Sequence, residues 1–296
     1  MIISAIIPTY EREQLLARAV SSVLSQDVPG AEVEVIVVND SGEPLGCAEW
    51  QNDPRVSVFT THHTERCVAR NTGAALSRGD HLHFLDDDDV LLPGAYAALL
   101  DAARATSGVW TYGGYETVDD EGKHIETIRP VVRGKVFALA VAGATIPMGA
   151  SLIERRAFFG AGGFDPAQLA EEDSDLLQRV ALRGNLEVTN CVVARFRVGT
   201  EGPTTTDWAR VPELGRMKRE KAFAMPCCLR ELGTSLDELH YGGVRGRLVR
   251  FYWGSAVRHV RDGTPIIAAS RFGAGLRLFF WGLPSRGFWR GLRGGW

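Results

Sequence analysis

An alternation of strand-like and helix-like patterns over the first 110 residues is the feature that most constrains this fold. Ile2–Ile7 is an apolar run, Val33–Val38 is a β-branched run, and turn-forming residues close both. Between them, apolar residues recur at helical spacing from Leu15 to Leu24. The pattern continues with predicted strands at Arg55–Thr60 and His81–Leu85 and predicted helices at Cys67–Ser77 and Leu91–Ala105. Such alternation predicts an α/β class fold with a doubly wound, mostly parallel sheet.

Composition supports a globular protein of one main domain with a tail. The chain has 296 residues, of which 45% are hydrophobic and 23% charged, and this balance excludes disordered and collagen-like chains. The five cysteines form no CxxC pair, so neither a disulfide framework nor a zinc site is indicated. Met1–Pro8 lacks the basic start of a signal peptide. We therefore expect a cytoplasmic protein.

Polar residues follow three of the predicted strands at the point where each strand ends. Thr9–Glu11 follows the first strand, Asn39–Asp40 the second, and Asp86–Asp89 the fourth. In open parallel sheets, ligands bind in the crevice beyond the carboxyl ends of the strands. The sequence therefore predicts that these three clusters meet at one ligand-binding edge.

The four consecutive carboxylates of Asp86–Asp89 are the strongest chemical signal. Adjacent carboxylates repel one another, and a charge run of this kind can simply be a solvated loop. At the end of a buried strand, however, a divalent cation would relieve the repulsion. Hard oxygen ligands suit Mg²⁺ or Mn²⁺, which bridge to substrate phosphates. We therefore expect Mn²⁺ or Mg²⁺ as the cofactor.

Six segments in order resemble glycosyltransferase family 2. They are Ser4–Tyr10, Glu34–Asp40, Ala69–Gly73, Gly79–Asp80 leading to Phe84–Asp89, Gly162–Asp165 and Glu172–Leu176. The resemblance implies a GT-A nucleotide-binding fold over residues 1–200, with a donor-binding half at 1–110 and an acceptor-binding half at 111–200. It also implies inverting sugar transfer from a nucleoside diphosphate sugar, with UDP favoured, to a hydroxyl of a glycan or lipid-linked acceptor.

The resemblance also implies roles for individual residues on the donor side. The expected donor-binding residues are Pro8, Thr9, Tyr10, Glu11, Asp40, Arg70, Asn71, Asp86 and Asp87, with Asp40 on the base or ribose and Arg70 and Asn71 near the nucleotide or its diphosphate. Aligning the family's D-x-D signature on Phe84 makes Asp88 the principal metal ligand, with Asp86 on the metal or the ribose. The alternative frame, Asp87 with Asp89, stays open.

A general base must accept the proton of the attacking hydroxyl. The resemblance gives this role to Asp173, the second residue of the Glu172–Asp173 pair. A helix N-terminus also favours acidic residues, so a capping role for Asp173 is the alternative. Further along, Arg195 and Arg197 with Thr204–Thr206 resemble the strand and loop where a basic side chain meets the donor phosphates.

Charge is distributed unevenly between the body and the tail of the chain. Residues 243–296 hold ten arginines and one acidic residue, a net charge of +9, which leaves −12 on residues 1–242. Arginine interleaved with aromatic residues is typical of segments at an anionic membrane surface. We expect residues 201–296 to form a helical extension. For 270–296 we expect peripheral membrane contact, and for 243–262 packing or a homo-oligomer contact is an equal alternative.

Two other functions compete with sugar transfer. A sugar nucleotidyltransferase also uses an α/β fold and a carboxylate-bound metal, but it needs a glycine-rich basic loop after the first strand, which Pro8–Arg12 does not supply. A binding protein that retained the fold would hold a nucleotide sugar without transferring it. With a net charge of −3, the chain has no electrostatic reason to bind nucleic acid.

Overall fold

The computed structural model describes residues 1–106, 108–199, 210–238, 242–282 and 286–293. The chain divides into two compact units. The first comprises Met1–Arg133 and Ile146–Val211, and the second comprises Gly134–Thr145 and Pro212–Trp296. The boundary expected near residue 200 falls outside the described residues. The segment 134–145, assigned from sequence to the 111–200 half, belongs to the second unit.

The first unit is built of strands and helices in alternation. Its strands are β1 Ile2–Thr9, β2 Glu32–Asn39, β3 Val56–Thr60, β4 His81–Phe84, β5 Val90–Leu91, β6 Trp110–Val118, β7 His124–Ile128, β8 Ser151–Glu154 and β9 Leu186–Arg197. Its helices are α1 Glu13–Leu24, α2 Arg66–Leu76, α3 Ala95–Thr106, α5 Arg155–Gly160 and α6 Glu172–Val180. The strands and helices predicted over the first 110 residues are all present.

The strands form one sheet in the order β3-β2-β1-β4-β8-β6-β9-β5, with β7 added on β6. The neighbours β3, β2, β1 and β4 are parallel, as predicted, and α1 and α2 supply the crossovers that parallel pairing requires. Beyond β4 the sheet is mixed, because β8 pairs antiparallel with both β4 and β6, whereas β6 and β9 are parallel. The α/β class and the mostly parallel sheet are confirmed, and the antiparallel pairs all involve the short strands β5, β7 and β8.

The parallel half of the sheet explains why its strands are continuous apolar runs. Helix α1 covers one face with the buried side chains of Leu16, Ala19, Val20 and Val23, which pack with the inner residues of β1 and β2. Strands covered on both faces have no solvent side and so lose the alternation of half-buried strands. The register pairs Thr9 with Asn39, so the carboxyl ends of β1 and β2 lie side by side.

The second unit is helical in its described residues, as expected for the extension. Its helices are α4 Phe137–Val141, α7 Val211–Ala224, α8 Cys228–Glu238, α9 Gly242–Arg261, α10 Pro265–Gly282 and α11 Arg286–Arg293. Leu248 and Tyr252 of α9 are buried, and the ring of Tyr252 stacks on Phe223 of α7 at 3.9 Å between centroids. Across the described ranges, no helix combines the length and apolar character needed to cross a bilayer.

Candidate active site

The end of β1 is tied directly to the acidic run that follows β4. Thr9 donates its hydroxyl hydrogen bond to Oδ2 of Asp87 at 2.7 Å. Nη1 of Arg12 lies 3.3 Å from Oδ1 of Asp87 and 3.1 Å from Oδ2 of Asp88. Glu11 has a φ of 55°, a left-handed conformation that turns the chain from β1 into α1. The three strand-end clusters therefore meet at one edge, as the sequence predicts.

The four carboxylates of the acidic run differ in their partners and exposure. Oδ1 of Asp86 accepts from Nη2 of Arg70 at 2.6 Å, and Oδ1 of Asp89 accepts from the backbone N–H of Arg197 at 3.0 Å. The Asp86 side chain is 52% exposed and that of Asp88 is 29% exposed, whereas that of Asp87 is 7% exposed. Asp86 and Asp88 are therefore more accessible to a ligand than Asp87, and Asp89 is half-buried with one oxygen engaged by Arg197.

Burial and mutual repulsion shift the pKa values within the run. Burial raises the pKa of Asp87 to about 6, even though Thr9 donates to it. Burial, with the charge of Asp86, also raises the pKa of Asp88, and both effects raise that of Asp89 well above its usual range. For Asp86, desolvation by the surrounding protein acts in the same direction although the side chain is half exposed, but the charge and hydrogen bond of Arg70 outweigh it and lower the pKa. The run thus lacks enough neighbouring positive charge to offset all four carboxylates.

The donor set at this edge fits a hard divalent cation shared with a substrate. No group of three or more His, Cys, Asp or Glu side chains is arranged to hold a metal ion in the part of the chain that the structure describes. Mg²⁺ is commonly held by one or two carboxylates together with substrate phosphates, so two accessible carboxylates are sufficient. Asp86 and Asp88 satisfy that requirement, and the metal assignment stays a prediction.

Arg70 joins the acidic run to the start of α6. Its buried guanidinium donates from Nη2 to Asp86 and from Nη1 to Oε1 of Glu172 at 3.0 Å, and it lies 5.4 Å from the centre of the Phe164 ring. Arg66, one turn earlier on α2, donates to the same Glu172 oxygen at 3.3 Å. Burial disfavours the charge of Arg70, but the surrounding carboxylates raise its pKa. The sequence motifs at 69–73, 84–89 and 172–176 are therefore one contiguous cluster.

Asp173, the predicted base, lies in the first turn of α6. Burial, reinforced by the charge of Glu172, raises the pKa of Asp173 to about 6, with Arg70 acting in the opposite direction. The N-cap of α6 is Glu171, which has a left-handed φ of 57°. Asp173 is therefore inside the helix instead of at the capping position, and its pKa is raised where a helix N-terminus alone would lower it.

Asp40 is buried and holds a loop. Its carboxylate accepts the hydroxyl hydrogen bonds of Thr61 and Thr64 at 2.6 and 2.9 Å and the backbone N–H groups of Thr64 and Glu65 at 2.8 and 3.1 Å. These donors engage both oxygens and lie in the loop between β3 and α2. The expected contact of Asp40 with the base or ribose stays a prediction.

Asn71 also makes two hydrogen bonds within the protein. Its Nδ2 donates to the carbonyl of Phe164 at 2.8 Å, and its Oδ1 accepts from the Phe164 N–H at 2.9 Å. Gly163 has a φ of +68°, and a Cβ there would lie 2.7 Å from Oδ1 of Asn71. Asn71 thus fixes the loop that precedes α6, and its predicted contact with the diphosphate is untested.

The other predicted donor residues lie along the same edge. Pro8 is in β1, in register with Val38 of β2. Tyr10 is 42% exposed and its ring centre lies 4.9 Å from that of His63. Stacking a nucleoside base requires an accessible ring of this kind.

Residues of β9 that were expected to meet donor phosphates have acidic partners on the protein. Arg195 lies 2.6 Å from Glu116, and Arg197 lies 2.7 Å from Asp120. The accompanying Thr204–Thr206 segment lies outside the described residues.

Sequence reasoning missed Arg12 and Arg66 as members of the cluster. A signal for them exists, because four carboxylates at a sheet edge require nearby cations. Arg12 directly follows the neighbouring strand end, and Arg66 lies one helical turn before Arg70.

An open α/β sheet with carboxylates and the guanidinium groups of Arg12, Arg66 and Arg70 gathered at its strand ends is typical of ligand-binding α/β domains. The sequence profile described as glycosyl transferase family 2 matches residues 4–157, just over half of the chain. The chain belongs to glycosyltransferase family 2.

Known proteins support this assignment. The poly(ribitol-phosphate) beta-N-acetylglucosaminyltransferase TarP of Staphylococcus aureus is 29% identical over 128 residues, 42% of this chain and 39% of TarP. The GalNAc(5)-diNAcBac-PP-undecaprenol beta-1,3-glucosyltransferase of Campylobacter jejuni is 31% identical over 106 residues, 34% of each protein. In both cases the match spans less than half of the relative's own length.

The fold also resembles a solved structure over most of its length. The crystal structure of S. aureus TarS residues 1–349 in complex with UDP-GlcNAc matches with a TM-score of 0.62 and 13% identity, covering 94% of this chain and 92% of that one. The GT-A fold expected from the sequence is therefore confirmed.

Proposed function

We propose that this chain is an inverting glycosyltransferase that moves a sugar from a nucleoside diphosphate sugar, UDP-sugar favoured, to an acceptor hydroxyl. The observation that carries the proposal is the double contact of Arg70, which joins Asp86 of the acidic run to Glu172 beside the proposed base Asp173. The residues proposed to bind the donor and the residue proposed as base thereby belong to one charged cluster. A raised pKa of about 6 leaves Asp173 ionised at neutral pH, yet basic enough to accept a proton.

The donor is proposed to lie at the strand-end edge. Thr9, Tyr10 and Asp40 belong to the predicted nucleoside pocket, and Arg12 and Arg70 supply positive charge beside the acidic run. UDP is favoured because TarS, which shares the fold, has been crystallised with UDP-GlcNAc. A UDP-sugar also offers the diphosphate with which two accessible carboxylates would share a metal.

Transfer is proposed to occur in a single displacement. The carboxylate of Asp173 accepts the proton of the acceptor hydroxyl, while the hydroxyl oxygen forms a bond to the anomeric carbon of the sugar. The bond from that carbon to the diphosphate oxygen breaks, and its electron pair leaves with the nucleoside diphosphate. Attack from the face opposite the leaving group inverts the configuration. Asp173 becomes a neutral carboxylic acid and then releases its proton to solvent.

Asp86 and Asp88 are the residues proposed to hold Mn²⁺ or Mg²⁺. Bound there, the cation would stabilise the negative charge of the departing diphosphate. The protein's own part at this position is the charge of Arg70 and Arg12, which orients Asp86, Asp87 and Asp88 before any ligand arrives.

The acceptor is proposed to be a glycan or a lipid-linked glycan. The names of two relatives support this proposal, since one is a poly(ribitol-phosphate) transferase and the other a transferase for an undecaprenol-linked saccharide. We propose that the enzyme works in the cytoplasm, at the inner face of the membrane.

A donor screen followed by a transfer assay tests the proposal. UDP-, dTDP- and GDP-sugars are first compared for thermal stabilisation of the full chain with Mn²⁺ present, and nucleoside diphosphate release is then measured with and without glycan acceptors. We expect stabilisation by one nucleotide class and acceptor-dependent release. Stabilisation without release would identify a binding protein. Formation of pyrophosphate from a sugar phosphate and a nucleoside triphosphate would identify a nucleotidyltransferase, and either result would overturn the proposal.

A further inference from the structure

Helix α10 presents an apolar face to solvent. Ile266 is 85% exposed, Phe272 is 51% exposed and Phe280 is 63% exposed. Phe272, Leu276 and Phe280 follow one another at intervals of four residues, and Ile266 lies on the same side four turns before Phe280. Surface helices of globular proteins usually place charged residues on that side. We call the exposed side of α10, together with α11, the α10–α11 face.

The opposite side of α10 is fully packed within its own unit. Trp253 of α9 lies 5.4 Å from Phe279 between ring centres, and it also reaches the edge of the exposed face, where it lies 6.2 Å from Phe272. Arg271 turns inward, where it donates to the Phe223 carbonyl at 2.7 Å. The side chains of Ile266, Phe272 and Phe280 therefore remain largely exposed although the helix is packed on its other side.

Helix α11 places a row of cations beside this apolar face. Arg286, Arg290 and Arg293 recur at helical spacing and are exposed, while Phe288 on the other side is buried. Trp289 is 39% exposed, and its ring centre lies 5.9 Å from that of Phe279 of α10. The two helices are therefore neighbours at Phe279 and Trp289, and both expose apolar side chains and arginines to solvent.

The charge of this surface is of one sign. From residue 263 to the last residue the sequence has five arginines and no acidic residue. Within the described residues, none of Arg277, Arg286, Arg290 and Arg293 has an ion-pair partner. A second copy of the same face would bring arginine against arginine, so self-association of this surface is electrostatically unfavourable.

We infer that the α10–α11 face binds the surface of an anionic lipid bilayer, with the apolar side chains entering the boundary between headgroups and acyl chains and the arginines meeting lipid phosphates. Amphipathic helices with aromatic and leucine residues beside a basic edge bind membranes in this way. We expect α10 to lie on the bilayer surface and not to span it, because charged Arg271 and Arg277 interrupt its apolar sequence. This inference is independent of the proposed transfer activity.

Vesicle flotation of the full chain tests the inference. Binding to phosphatidylcholine vesicles is compared with binding to vesicles containing about 30 mol% phosphatidylglycerol, as salt rises from about 0.1 to about 0.5 M. We expect binding to the anionic vesicles that weakens with salt. Substituting Arg277, Arg290 and Arg293 by Gln should lower that affinity about a hundredfold, at about 1 kcal/mol per arginine. Substituting Ile266, Phe272 and Phe280 by Ser should lower it at least about tenfold.

Matched variants control for charge and polarity. Arg18, Arg104 and Arg230 are replaced together by Gln, and the 54% exposed Ile125 is replaced by Ser; neither change should alter vesicle binding. Circular dichroism verifies that each variant is folded. The inference is overturned if wild type does not bind anionic vesicles or binds both vesicle types equally. It is also overturned if wild type sediments as a dimer that the Ile266, Phe272 and Phe280 substitutions dissociate while vesicle binding is unaffected.

Discussion

Nη1 of Arg70 lies 3.0 Å from Oε1 of Glu172, although the two residues are 102 positions apart and their side chains are only 7% and 6% exposed. Burying an ion pair is costly unless both partners find further hydrogen bonds. Arg70 finds one at Asp86 and Glu172 finds one at Arg66. The pair therefore fixes α6, with Asp173 in its first turn, against the strand-end edge.

Replacing Arg70 by Met should strongly destabilise the protein. Removing one partner of a buried ion pair typically costs about 3–5 kcal/mol, and we expect the lower end because Arg66 still pairs with Glu172. Arg70→Lys should retain part of the stability but weaken donor binding, since one ammonium group does not reproduce the two-sided contact of guanidinium. The measurement is urea denaturation together with UDP titration.

Arg78→Met is the matched control for Arg70→Met. Arg78 also pairs with a buried carboxylate, Glu34, but its own side chain is 77% exposed, and Glu34 keeps its bond from Ser4. We expect a cost below about 1 kcal/mol. Equal costs for the two variants would contradict a special role for the Arg70 bridge.

Asp86→Asn and Asp88→Asn should each weaken Mn²⁺-dependent UDP binding by at least about tenfold. Both carboxylates are more exposed than that of Asp87, and they form the frame proposed to hold the metal. Calorimetric titration of UDP with Mn²⁺ and with EDTA measures the effect. The exposed Asp101→Asn serves as the control. If Asp89→Asn abolished the Mn²⁺ dependence and Asp88→Asn did not, the Asp87 and Asp89 frame would be the correct one.

The rate of transfer should depend on an ionisation near pH 6. Burial and the charge of Glu172 raise the pKa of Asp173 to about 6, so the basic form increases as pH rises through that value. We expect kcat/KM to climb and level off above pH 7. Asp173→Asn should lower kcat about 10²–10⁴-fold with donor binding unchanged. A variant that kept both the rate and the pH profile would exclude Asp173 as the base.

The same pKa predicts a pH-dependent gain in stability for Asp173→Asn. Because the folded-state pKa lies above the ordinary 3.8, the ionised carboxylate destabilises the fold above pH 6. The variant should therefore gain about 1–3 kcal/mol in free energy of unfolding at pH 8. The gain should shrink as pH falls from 6 toward 4, where wild-type Asp173 is protonated. Urea denaturation at several pH values measures this, and a gain independent of pH would contradict it.

Two glycines with similar φ values allow the cost of backbone strain to be measured separately from the cost of a steric clash. Gly163 and Gly94 have φ values of +68° and +76°, but a Cβ at Gly94 meets nothing within 4 Å, while at Gly163 it meets Oδ1 of Asn71. Gly94→Ala should cost about 1–2 kcal/mol from the left-handed conformation alone. Gly163→Ala should cost about 1–2 kcal/mol more, because it disrupts the hydrogen bond of Asn71 to Phe164. Equal losses in thermal denaturation would contradict a stabilising role for the hydrogen bonds between Asn71 and Phe164.

Sequence patterns predicted the parallel half of the fold because its determinants are local. The apolar run of β1, the helical stripe of α1 and the acidic run after β4 can each be read within a window of about ten to twenty residues. Those patterns also predicted which strand ends meet, since the carboxyl ends of neighbouring parallel strands share an edge.

What the sequence could not show are the pairings between distant residues. Strand β8 has four residues and pairs antiparallel between β4 and β6, a choice that no local pattern encodes. The contacts of Arg70 with Glu172 and of Asn71 with Phe164 join positions 102 and 93 residues apart. Motif resemblance named Arg70 and Asn71, but only the structure shows Asn71 holding a loop.

The four donors that converge on Asp40 affect how substitution data for this family member should be interpreted. Removing this carboxylate would release Thr61, Thr64 and the N–H groups that open α2, the helix that carries Arg70. An Asp40→Ala variant would then lose donor affinity through a disordered recognition loop, whether or not Asp40 contacts the nucleoside. A loss of binding in that variant is evidence about preorganisation, and a bound-state structure is required to assign it to contact.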